Sequence, residues 1–105
     1  MGKDGLPASP RSEEEKEVQL LGSMISNLSW ILFPPKEPYC MLGRHPKPPD
    51  ASSQFCASLY SMGKGALRNL ELGPEFGATK LQAMAKLLYS VEVEIGKLQL
   101  KDARK

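Results

Sequence analysis

Residues 51–72 read ASSQFCASLYSMGKGALRNLEL and are followed by Gly73-Pro74. How this stretch is read decides the fold. Phe55, Leu59, Met62, Ala66 and Leu70 recur at helical spacing. Asp50, Ser52 or Ser53 offers an N-cap, and Gly followed by Pro offers a stop. The spacing predicts a helix over 51–72, kinked or split at Gly63-Lys64-Gly65, because each glycine in a helix interior costs about 1 kcal/mol. No alternating pattern of useful length supports a strand, and there is no internal repeat.

Upstream, Pro34, Pro35, Pro38, Pro46, Pro48 and Pro49 crowd residues 33–50. They exclude a helix or a central strand and predict a long, extended, polyproline-like connection. Pro35-Lys36-Glu37-Pro38 is a bare PxxP, which can dock an aromatic groove but reads more readily as a structural spacer between the first two helices. Before it, Ser12-Glu13-Glu14-Glu15 reads as a capping box. It opens a first helix over 13–32 that Pro34-Pro35 ends. Residues 1–11 read as a flexible tail. A third helix is expected over 76–103, with Lys97 and Lys101 suited to its C-terminal dipole.

The first helix carries Val18, Leu21, Ile25, Leu28 and Leu32; the third carries Leu81, Met84, Leu88, Val91, Ile95 and Leu98. Both rows alternate steps of three and four, the spacing of helices packed side by side with left-handed crossing. The expected fold is therefore all-α. It is a three-helix bundle or helical hairpin, one domain over 12–105, with the proline-rich connection joining its first two helices.

The first helix is more apolar than one seam requires. Leu20, Met24 and Ile31 form a second row, giving an apolar arc of roughly 160° against ~100° for an ordinary surface helix. The remainder, Gln19, Ser23, Ser26, Ser29 and Trp30, has no charge. Two neighbouring helices hardly enclose such a cylinder, which points to a partner chain. Tyr89, Val93 and Leu100 form a weaker second row on the third helix. The expected partner-binding residues are Leu20, Met24, Trp30, Ile31, Tyr89 and Val93, because large aromatic and aliphatic anchors dominate interfaces. The partner is another protein, either a second copy or a different chain.

Catalysis and cofactors find no support. Cys40, His45 and Cys56 are too few and too widely spaced for structural zinc. Gly63-Lys64-Gly65 departs from the phosphate-binding loop pattern at both ends. The glutamates at 13, 14, 15 and 17 read as capping and solvation rather than as paired acid and base. No cofactor or metal is expected, and the chain is read as a non-enzyme. Residues 1–50 carry 6 basic and 7 acidic side chains, and residues 51–105 carry 8 and 5. The excess is scattered over Lys64, Arg68, Lys80, Lys86, Lys97 and Lys101, so nucleic-acid binding ranks low. A membrane-surface helix ranks next to protein docking but lacks the expected cations on its polar face. The polar start and the two cysteines suit a cytoplasmic or nuclear protein rather than a secreted one. Ser9 and Ser12 are candidate phosphorylation sites, a phosphate at Ser12 being favoured by a helix N-terminus.

Overall fold

The computed structural model describes residues 10–63 and 67–103. Expectations that fall on residues 1–9, Lys64, Gly65, Ala66, Arg104 and Lys105 lie outside the described residues. Helix α1 (Pro10–Leu32) opens the chain, starting with a proline in its first turn, where the missing N–H is no loss. Ser12, expected as the N-cap, therefore lies within the helix. A 3-10 turn (Pro34–Lys36) leads to strand β1 (Tyr39–Arg44), and a second 3-10 turn (Ala51–Ser53) leads to β2 (Phe55–Met62). Strand β3 (Arg68–Gly77) and helix α2 (Lys80–Ala103) follow. The three strands form one antiparallel sheet in the order β1-β2-β3.

This α+β arrangement overturns the all-α expectation, both as a three-helix bundle and as a helical hairpin. The stretch expected as the second helix instead holds the second 3-10 turn, β2 and the start of β3. Its own residues show why. In β2, Ala57, Leu59 and Ser61 alternate onto one face and are buried, while Cys56, Tyr60 and Met62 take the other. The buried row mixes a small apolar, a large apolar and a polar residue, so its period of two barely shows in hydropathy. Ser61 is tolerated there because its hydroxyl donates to Glu71 Oε2 at 2.6 Å. Lys36 Nζ approaches the same oxygen at 3.5 Å. The Gly63 N–H donates to the Leu67 carbonyl, so this glycine sits at a hairpin and not at a helix kink.

Gly73-Pro74 likewise stops no helix. It lies inside β3, where the ladder to β2 shifts register. Gly73 has φ +97°, and a Cβ there would stand 2.9 Å from the Ala57 carbonyl oxygen. Asp50 does cap, but it caps the short 3-10 turn, accepting from the Ser52 amide at 2.9 Å and hydroxyl at 2.6 Å. These bonds hold the Asp50 carboxyl below its ordinary range.

The connection over 33–50 is not polyproline-like throughout, because β1 occupies the proline-free gap between Pro38 and Pro46. It is an edge strand, the one position where flanking prolines leave no ladder bond unmade.

Both helices pack on one face of the sheet. Ile25 of α1, Ala57 and Leu59 of β2, and Ala83, Met84, Leu87 and Val91 of α2 form the buried core. Leu21, Leu28 and Leu32 of α1 and Leu88 and Ile95 of α2 pack around it. The helical rows thus meet across α1 and α2, yet they serve a two-layer sandwich rather than a bundle. The buried stripe of α2 is broad because it faces a helix and a sheet together. Thr79 Oγ1 accepts from the Gln82 amide at 3.1 Å, and Gln82 Oε1 accepts from the Ala78 amide at 2.9 Å. This reciprocal cap sets the start of α2. Ser90 on α2 donates to Glu75 Oε2 on β3 at 2.9 Å, tying the helix to the far strand.

Candidate interaction surface

Between Val18 and Leu32, α1 has no charged side chain. Its inward side buries Ile25 and Ser29 completely, the Ser29 hydroxyl donating back to the Ser26 carbonyl at 2.8 Å. With residues about 100° apart, Leu20, Met24 and Ile31 share one strip that lies roughly 120–160° round from the Ile25–Ser29 line. All three are exposed, Leu20 at 62% and Ile31 at 56%. On α2 the row opposite Leu87 and Val91 is Tyr89, Val93 and Leu100, also exposed, with Tyr89 at 68%. Each row lies opposite its helix's sheet-facing residues, so both look outward from the same helical layer. Five of the six residues expected at a partner surface are therefore on one side of the molecule. Trp30, 47% exposed, lies about 100° round α1 from Ile31, on the flank that carries Ser23 and Ser26.

A groove of about 680 Å³ runs between that flank and β1. Gly22, Ser23 and Ser26 form its helical wall, Cys40 and Leu42 its strand wall, and Met84 reaches its floor. Sequence reasoning missed this feature because β1 was hidden among prolines. Its one visible signal was the small-residue side of α1. A second, charged cleft of about 710 Å³ lies at the N-terminal end of the helices, bounded by Glu14, Glu15, Arg44, Phe55 and Lys80. There the Arg44 guanidinium stacks 4.6 Å above the Phe55 ring. The sheet face turned away from the helices holds a Tyr39–Tyr60 stack at 6.1 Å, with Arg68 over Tyr60 at 5.9 Å.

Cys40 lies on the helix side of the sheet with Leu59, while Cys56 pairs with Gly43 and faces the other way. Burial pushes the Cys40 thiol up to about 11, which suppresses the thiolate needed for attack or metal binding. His45 accepts from the Lys47 amide through Nδ1 at 3.1 Å and tilts against Phe76. Among the described residues, no three of His, Cys, Asp or Glu gather where they could hold a metal ion. Of the six dispersed cations, Arg68 is on the sheet, Lys80, Lys86, Lys97 and Lys101 are on α2, and Lys64 is outside the described residues. Among the described residues, no helix is long and apolar enough to cross a membrane. No family model matches the chain, and no curated protein or solved structure matches it either.

Proposed function

We propose that this chain is a non-catalytic protein–protein interaction module, an adaptor or small subunit that docks through the outward face of its helical layer. The supporting observation is the pair of adjacent exposed rows, Leu20, Met24 and Ile31 on α1 with Tyr89 and Val93 on α2. A partner covering them gains burial free energy at about 25 cal/mol per Å² of apolar surface, before the costs of association. The uncharged stretch from Val18 to Leu32 supports the same reading, since a carboxylate or ammonium trapped there would need its own counter-charge. A reducing compartment, cytoplasm or nucleus, belongs to the proposal and rests on the unpaired Cys40 and Cys56.

The test compares wild type with Leu20→Ser plus Ile31→Ser, and separately with Trp30→Ala. Association is followed by light scattering after size exclusion and by affinity capture from cells, with the thermal midpoint as a folding control. The double variant is expected to keep its melting point and lose the associated species, whether second copy or other protein. Trp30→Ala is expected to retain it. A wild-type chain that stays monomeric and holds the same companions as the double variant would end the proposal.

A further inference from the structure

Strand β1 ends the sheet, so one of its edges has no neighbouring strand among the described residues. The ladder shows which peptide groups face that edge. His45 N donates to the Gln54 carbonyl at 2.8 Å, continuing the register in which Tyr39 faces Tyr60 and Arg44 faces Phe55. In an antiparallel pair, hydrogen-bonded and non-bonded positions alternate. Tyr39, Met41 and Gly43 therefore direct their peptide groups at β2. Cys40, Leu42 and Arg44 direct theirs away from β2, to the side where no described strand pairs with them.

Between its flanking prolines this edge carries no internal block. Proteins blunt exposed edges with proline, lysine, bulges or inward charges. β3, the other edge, has two register shifts, Gly73-Pro74, Glu71 and Glu75. β1 is regular from end to end, and its one charge is the terminal Arg44.

The widths of the two layers add a further constraint. Two packed helices, each about 10 Å across, span roughly 20 Å. Three strands about 4.8 Å apart span roughly 14 Å, and four span roughly 19 Å. α2 packs mainly on β2 and β3, while α1 packs mainly on α2 and, within the sheet, on β1. α1 must therefore overhang the β1 edge, and the groove beneath Gly22 and Ser26 is the space one more strand would fill. A second folded copy does not fit there, because its own overhanging α1 would collide with this one.

We propose that β1 and the overhang of α1 form a receptor for one extended peptide strand of another protein. The peptide pairs with Cys40, Leu42 and Arg44 through its main chain. Its alternate side chains, small and apolar, enter the uncharged groove between Ser26 and Leu42. This site is separate from the outward helical rows and does not depend on them.

The probe is a phage-displayed library of random octapeptides, selected on the full-length chain and counter-selected on Ser26→Trp, which fills the groove from its helical wall and leaves the sequence of β1 unchanged. Enriched sequences are expected to alternate apolar with polar residues. A synthetic copy, followed by fluorescence anisotropy, is expected to lose affinity at least about tenfold when N-methylated at the edge-facing positions, and about tenfold towards Ser26→Trp. Binding should also slow amide exchange at Leu42 and Arg44. Leu20→Ser plus Ile31→Ser should bind the peptide like wild type, which separates this site from the outward face. Ser26→Trp must keep the wild-type melting point; if it unfolds, Gly22→Leu replaces it. The proposal is overturned by an absence of enrichment, by enriched peptides that tolerate N-methylation, or by a folded groove-filling variant that binds them unchanged.

Discussion

The Cys40 thiol lies 3.7 Å from the sulfur of Met84, so β1 meets α2 through two soft side chains beneath α1. The ordinary thiol value of 9.0 rises to about 11 here because burial disfavours the thiolate. Between those values the unfolded chain has lost this proton and the folded chain has kept it. The stabilisation is thus fully present below pH 9 and is lost as pH rises towards 11. Iodoacetamide near neutral pH is expected to label Cys40 at least about tenfold more slowly in the folded protein than in urea, read by peptide mass. Equal rates would show an open thiol.

Ser61 and Glu71 form a polar pair against the core. Ser61→Ala leaves the carboxylate with one fewer donor in a half-buried position, and the expected cost is about 1–3 kcal/mol. Urea unfolding at neutral pH reads it as a lower midpoint with unchanged slope. A midpoint unmoved from wild type would mean that water replaces the serine at no cost.

Two glycines should respond in opposite directions to alanine. A Cβ on Gly77 would stand 2.5 Å from the Ala83 amide nitrogen and 2.8 Å from the Gln82 Cβ, whereas nothing lies within 4 Å of one on Gly96. Gly77→Ala is expected to destabilise by about 1–3 kcal/mol through overpacking. Gly96→Ala, within α2, is expected to stabilise by about 0.5–1 kcal/mol. Calorimetric midpoints that shift in the same direction for both would contradict the packing described.

Amide exchange in the unliganded chain checks the polarity of β1. Met41 and Gly43 should exchange slowly. Cys40, Leu42 and Arg44 should exchange at least about tenfold faster, since no strand accepts their protons. A uniformly protected β1 would mean that its outer edge is already occupied.

The two helices were legible because their apolar residues recur every three or four positions over about four turns or more, a signal that β1 and β2 are too short to match. In β2 the buried row is Ala57, Leu59 and Ser61, and its serine is explained only by Glu71, ten residues away in sequence. Phe55, Leu59 and Met62 also satisfy a helical stripe, so local spacing chose the wrong period. Pro38 and Pro46 concealed β1, although the gap between them is long enough for an edge strand. Thr79 with Gln82 was a readable cap signature that would have placed the α2 start. The outward row on α1 was visible because Leu20, Met24 and Ile31 lie together on any helical projection. The groove was not, since it needs a strand that only the folded sheet reveals.

Pro38 and Pro46 also act as rulers. They confine β1 to six residues, about 20 Å of extended chain, and only every second residue offers its main chain outward. Any guest strand thus meets a short docking rail with hard stops at both ends. So brief a rail favours rapid exchange of occupants over permanent fusion of sheets, and it limits the runaway edge-to-edge growth that a longer bare strand would invite.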